Sequence, residues 1–168
     1  METFLSQFWP GLAANIAGGV ALSILFFVLR EHIFTMPNLV GVWECKHVVA
    51  TTDYRPYTGM IVWYRIVLWQ DNERIFGTGE KDREDSSTGV RTYTGKGRIF
   101  IEITGKIEKR ITSSDRIHLH WKEDGERRQS TTLDQLRVSG SKNNGNLFGS
   151  FSSTAANSKG VASWKRVL

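Results

Sequence analysis

Apolar and charged positions are segregated along this chain. From Thr3 to Leu29 there are 27 residues with no Asp, Glu, Lys or Arg. Within that stretch Gly11–Leu29 reads GLAANIAGGVALSILFFVL, with no polar stripe at helical spacing. Nineteen helical residues rise about 28 Å, close to the ~30 Å of bilayer hydrocarbon. A secretory signal would need a basic n-region and a shorter apolar stretch before a small-residue cleavage site. Here Glu2 precedes the stretch and the first basic residue, Arg30, follows it. The pattern therefore predicts a retained transmembrane α-helix. Phe8, Trp9 and His32 fall where interfacial anchors belong.

Pro37 argues against helix continuation, and beyond it the period changes from helical to alternating. Short β-rich runs cover approximately Leu39–Val49, Met60–Gln70, Arg74–Lys81, Arg98–Glu108, Arg116–Lys122, Arg127–Val138, Leu147–Ser153 and Val161–Val167. Ile99, Ile101, Ile103 and Ile107 share one face against Arg98, Glu102 and Lys106. Ile117, Leu119 and Trp121 oppose Arg116, His118 and His120. Asp71-Asn72 and Glu123-Asp124-Gly125 carry hairpin turn chemistry. No run after Met36 reads as an amphipathic helix. The expected fold is mainly β: an eight-stranded up-and-down barrel after a single N-terminal transmembrane helix, with a two-sheet sandwich as the alternative. The domains are then 1–36 and 37–168.

Two runs carry more than alternation. In MIVWYRIVLWQ the set Ile61, Trp63, Arg65, Val67 and Trp69 opposes Val62, Tyr64, Ile66 and Leu68, so both faces are apolar. A half-solvated strand should alternate, which predicts a cover over its outer face: another protomer, the membrane surface or the juxtamembrane segment. In the next run Gly77 and Gly79 share a face, leaving room for a ligand or marking a barrel bend.

Composition adds orientation and compartment. All 22 Lys and Arg lie at or beyond Arg30, which places the C-terminal domain on the cytoplasmic side of a single-pass inner-membrane protein. Cys45 is the sole cysteine, which suits a reducing compartment and excludes an internal disulfide. Beyond Pro37 there are 21 basic and 15 acidic residues, a difference of +6. That balance favours an anionic partner, either a nucleotide or lipid headgroups. In the helix Ala13, Ala17 and Ala21 recur every four residues beside the pairs Ala14–Gly18 and Gly19–Ser23, with Asn15 able to bond across a helix contact. This is the spacing of lateral helix association in lipid, although small residues are common in spans generally.

Motifs for chemistry are few. His118 and His120 have metal-ligand spacing on one strand face, but they oppose the apolar set and no motif supplies a third ligand, so no metal is expected. Thr94-Gly95-Lys96-Gly97 lacks the remaining residues of a phosphate loop and reads as a turn. No nucleophile elbow, paired-carboxylate motif or cofactor fingerprint is present, so the protein is expected to be neither an enzyme nor a cofactor carrier. The segment Asp53-Tyr54-Arg55-Pro56-Tyr57 could stack a base and pair a phosphate, or could be a rigid turn capping a barrel end.

Gly41-Val42-Trp43 opens the first β run and Trp164-Lys165-Arg166 closes the last. This resembles the G-x-W opening of lipocalin-like barrels, which implies that Trp43 plugs the closed end with Arg166 packed across it. A membrane helix leading directly into such a barrel resembles the transmembrane β-barrel effectors of cyclic-oligonucleotide-based antiphage signalling (CBASS). The resemblance rests on the Gly11–Leu29 span, Gly41, Trp43 and Trp164, and departs in having one helix where better-known members have two. It implies a cyclic-dinucleotide receptor that oligomerises and disrupts the inner membrane, with no direct binding of DNA or RNA. The expected ligand residues are Tyr54, Arg55, Tyr57, Trp63, Arg65 and Trp121. Alternative functions are a membrane-anchored carrier of an apolar ligand and a non-enzymatic interaction scaffold.

Overall fold

The computed structural model describes residues 2–29, 36–110, 113–125, 128–139 and 146–167. Arg30, His32, Arg127 and the side chain of Phe8 lie outside the described residues. The chain divides into two compact units, residues 1–35 and 36–168.

In the first unit α1 spans Glu2–Val28 and includes Pro10. Trp9–Val28 is 20 residues long and apolar enough to cross a membrane by length and composition. A helix crossing a membrane would need no amphipathic face, because in lipid the backbone satisfies its own hydrogen bonds. Pro10 has no N–H to donate and interrupts that ladder at the start of the apolar stretch. Ser23 bonds back from Oγ to the Gly19 carbonyl at 2.8 Å, which keeps its hydroxyl satisfied within the helix.

The second unit is a closed antiparallel barrel. Its strands are β1 (Gly41–Thr51), β2 (Ile61–Asp71), β3 (Arg74–Ser86), β4 (Gly89–Thr92), β5 (Phe100–Glu108), β6 (Arg116–Gly125), β7 (Arg128–Ser139), β8 (Asn146–Ser153) and β9 (Ser158–Val167). Around the ring the order is β1–β2–β3–β5–β6–β7–β8–β9, closed by pairing of β9 with β1. Each strand neighbours its predecessor, so closure needs only one long-range pairing and leaves no ring edge exposed. The eight alternating runs therefore form the expected barrel. The described residues add one strand that the alternation missed: β4, which pairs Gly89–Thr92 with Arg83–Ser86. β3 pairs with β5 only up to Glu80, so past that point the β3–β4 hairpin, still paired with β2, extends as a flap beyond the β5 wall.

Inward positions follow period two. Trp43, Cys45, His47 and Val49 point inward from β1, Val62, Tyr64, Ile66 and Leu68 from β2, Ile101, Ile103 and Ile107 from β5, and Ile117, Leu119 and Trp121 from β6. Three indoles fill the axis, with ring centres 6.3 Å apart for Trp43–Trp164 and 5.3 Å for Trp121–Trp164, both edge to face. The interior is a packed core rather than a channel.

The glycines of β3 do not open space for a ligand. A Cβ at Gly77 would lie 2.6 Å from Leu68 Cδ2, and one at Gly79 would lie 2.7 Å from the Arg65 carbonyl oxygen. Their role is to let β2 approach closely, the barrel-bend alternative. Gly95–Gly97 forms a single 3-10 turn with Gly95 at φ +61, as its turn chemistry suggested.

Candidate functional site

One end of the barrel is plugged. Trp43 is fully buried and donates from Nε1 to the Leu39 carbonyl at 2.8 Å. The Arg166 guanidinium sits 5.0 Å from its ring centre and donates from Nη2 to the Asn38 carbonyl. Strand pairing produces this contact directly, because Trp43 of β1 and Arg166 of β9 are register partners. Gly41 sits at φ +142, a backbone geometry that favours glycine, and so turns the incoming chain into β1. Gly41, Trp43 and Arg166 thus meet at this end of the barrel.

The opposite end is covered. The Arg55–Tyr57 3-10 turn lies between β1 and β2, and Tyr54 and Tyr57 meet edge to face at 4.9 Å. Ser87, at the tip of the β3–β4 flap, donates to the Pro56 carbonyl at 3.1 Å and ties the two lids together. Beneath them is a cavity of about 60 Å³ bordered by Tyr57, Tyr64, Lys81, Glu84, Glu123 and His47 among others. Lys81 Nζ is 2.7 Å from Glu84 and 3.9 Å from Glu123, and 4.7 Å from the Tyr93 ring centre. Burial pulls the Lys81 ammonium down, but the two carboxylates and the hydrogen bond to Glu84 outweigh it and hold its pKa above the ordinary value. Burial likewise pushes Glu84 up, and Lys81 with Tyr93 more than reverses that. Tyr64 is pushed well up by its own burial and then by Glu123, which accepts its hydroxyl at 3.5 Å. Arg91, 5.1 Å from the Tyr93 ring centre, adds a second cation beside Glu84, so the two carboxylates of this mouth are already paired with cations.

Below the cavity lies a polar cluster that the sequence reading did not find. His47 Nε2 is 3.0 Å from Asp134 Oδ2, and Trp164 Nε1 donates to the same oxygen at 3.0 Å. Asp134 Oδ1 and Trp121 Nε1 are buried with no hydrogen-bond partner among the described residues. Cys45 completes the cluster, its thiol pushed well up by burial and then by Asp134. The imidazole is held by stacking on Phe151 at 4.2 Å and by Trp121 at 4.9 Å.

The expected ligand residues are not gathered in one place. Tyr54, Arg55 and Tyr57 sit on the lid, Tyr57 alone bordering the cavity. Trp121 is inside the core. Trp63 and Arg65 face outward, because the inward face of β2 belongs to Val62, Tyr64, Ile66 and Leu68. His118 and His120 also face outward, with His118 bonded to Glu108 at 3.0 Å, so they are remote from the inward His47.

Outward placement gives Trp63 a different setting. Register aligns Phe148, Ser163, Lys46, Trp63 and Arg83 across β8, β9, β1, β2 and β3. Arg83 lies 4.4 Å and Lys46 Nζ 5.8 Å from the Trp63 ring centre. These residues border an open trough of about 530 Å³ whose far side is Phe148, 56% exposed, with Glu44 and Lys165 along its length. A second outer groove of about 660 Å³ runs past Arg74, Phe76, Lys106, His120 and Leu133. No family model matches the chain, and no curated protein or solved structure gives a significant match.

Proposed function

We propose that this chain is a membrane-anchored effector whose barrel binds a cyclic dinucleotide and whose helices then associate in the bilayer. A long apolar helix leading into a closed barrel fits a membrane-anchored barrel protein. The single observation that carries the ligand is the outer trough. At about 530 Å³ it falls in the size range of small-molecule sites, roughly 300–1,000 Å³, whereas the roughly 60 Å³ interior cavity falls far below it. A purine can take the place of Arg83 on the Trp63 face, freeing the guanidinium for a phosphate, with Lys46 beside it. The 660 Å³ groove is larger, but its described lining has no cation stacked on an aromatic face. Placement in the inner membrane with the barrel in the cytoplasm follows from the Lys and Arg distribution, and the antiphage role from the resemblance.

The carrier reading loses its support in the same geometry, because Trp43, Trp121 and Trp164 occupy the volume an apolar cargo would need. The scaffold reading keeps one observation. Val42, Val67 and Val167 are exposed register neighbours on β1, β2 and β9, and exposed Trp69 stacks on Phe76 at 6.4 Å. Titrating the full chain in nanodiscs with cyclic dinucleotides of different bases, by calorimetry, tests the proposal. Saturable binding weakened at least tenfold by Trp63→Ala is expected. No saturable binding, or binding indifferent to both Trp63→Ala and Arg83→Ala, would sink it.

A further inference from the structure

The packed interior contains a ligand set for a metal ion. Cys45 and His47 are two positions apart on β1 and so project from the same inward face, while Asp134 reaches them from β7 on the far wall. One sulfur, one imidazole nitrogen and one carboxylate oxygen lie within 4.8 Å of one another, and all three residues are buried. We propose that Cys45, His47 and Asp134 form a metal-binding site inside the barrel, and that Zn²⁺ is the cation their chemistry selects.

Three observations converge on this assignment. The first is the orphaned Asp134 Oδ1. A carboxylate oxygen buried in the core normally has a donor or a cation, because desolvation without one is costly. Oδ2 already accepts from Trp164 Nε1, which is the outer hydrogen bond expected to orient a ligating carboxylate and leave its other oxygen for the metal. The second is the pre-set imidazole. Phe151 stacks on the His47 ring with 6° between planes, which fixes the direction of Nε2 toward Asp134 without any metal. The third is charge. A thiolate and a carboxylate neutralise one divalent cation, giving a site with no net charge in a low-dielectric interior.

The donor types choose among cations. Mg²⁺ and Ca²⁺ take oxygen ligands and would leave sulfur and imidazole unused. Zn²⁺ accepts sulfur, nitrogen and oxygen together in a tetrahedron. Bonds of about 2.0–2.3 Å would place the donor atoms roughly 3.3–3.5 Å apart. The three ligand atoms lie within 4.8 Å of one another and have to close by roughly 1.5 Å at most to reach that spacing. On binding, the Cys45 thiol proton leaves to solvent as the Zn–S bond forms, and His47 Nε2 gives its lone pair to the metal with the ring proton on Nδ1. The cavity of roughly 60 Å³ that His47 borders has room for a water molecule as the fourth ligand.

The test uses full-length protein in detergent, stripped with chelator and titrated with Zn²⁺ and with Co²⁺ as the spectroscopic probe. One zinc per chain by elemental analysis, a raised unfolding temperature, and a sulfur-to-cobalt charge-transfer absorption are expected. Cys45→Ser should abolish that absorption, and Asp134→Asn should weaken zinc binding at least tenfold in competition with a chelating dye. The wild-type cobalt spectrum is decisive even if the variants fail to fold. Absence of bound metal overturns the proposal. So does cobalt bound without the sulfur band, which would place the ion elsewhere, as at His118 and His120 on the outer wall.

Discussion

Replacing Trp43 with Phe tests the plug that closes the barrel. The smaller ring removes roughly 40 Å² of buried apolar surface, worth about 1 kcal/mol at 25–30 cal/mol per Å². It leaves a void of roughly 40 Å³, and at about 24 cal/mol per Å³ this adds ~1 kcal/mol. The Leu39 carbonyl loses its Nε1 donor in a buried setting, which costs a further ~1–2 kcal/mol. Trp43→Phe should therefore destabilise the barrel by about 3 kcal/mol, or lower its unfolding temperature by roughly 10 °C. The assay is urea unfolding of the full chain in mild detergent, followed by near-ultraviolet circular dichroism. The denaturant slope has to stay constant for the comparison to hold. A double-mutant cycle with Arg166→Leu isolates the cation over the indole, with a coupling of ~0.5–2 kcal/mol expected at 5.0 Å. A loss below ~1 kcal/mol for Trp43→Phe would refute the plug, and a coupling near zero would remove Arg166 from it.

The lid network should give stability a pH window. Glu84, held below its ordinary 4.5, contributes above that pH and loses its contribution as the pH falls through its folded value. Lys81, held above 10.5, contributes below that pH and loses its contribution as the pH rises through its folded value. Hydrogen-exchange protection of residues 52–60 and 81–93 should hold between these limits and fall outside them, and Glu84→Gln should remove the acid limb; an unchanged acid limb in that variant would exclude the pair. Gly79→Ala should cost ~1–3 kcal/mol through collision with the Arg65 carbonyl, despite alanine's better strand propensity; unchanged thermal stability would show that β2 can retreat there. Ala17→Leu with Gly18→Leu should reduce chemical cross-linking between chains in liposomes without altering nucleotide binding; undiminished cross-linking would exclude the Ala/Gly ribbon as the contact.

Alternation made most of the barrel legible because most strands bury one face only. Ile101, Ile103 and Ile107 against Glu102 and Lys106 leave no choice of inward side. β2 did leave a choice. Its two apolar sets are separable by period, but nothing in them says which faces the core, and the structure turns Trp63 and Arg65 outward, away from Tyr57 and Trp121. β4 was illegible because all four of its residues are exposed, so no burial pattern marks it. In β7 polarity misleads outright: Leu133 is 51% exposed while Asp134, next to it, is 1% exposed. That inversion hid the partner of His47, which lies 87 residues away in sequence. The Trp43–Arg166 contact was legible through the G-x-W resemblance, and pairing of the first and last strands is what brings the two residues into register.

Where a signal can act follows from how the barrel spends its interior. Three tryptophans and the His47–Asp134 pair fill the axis, and the mouth above them ties Lys81 to Glu84 and Glu123. An anionic ligand entering there would have to separate the Ser87–Pro56 tie and displace Lys81 from Glu84. The outer wall imposes none of these costs. Trp63 already carries two cations, and the strand bearing it also presents Val67 and Trp69 to solvent on the same face. A ligand stacked on Trp63 would bridge Lys46 and Arg83 from neighbouring strands and change the charge beside that apolar surface. Coupling between ligand and assembly then needs no change in the packed core. It needs only that the ligand favours the assembled state, which it does if a second barrel covers the same wall.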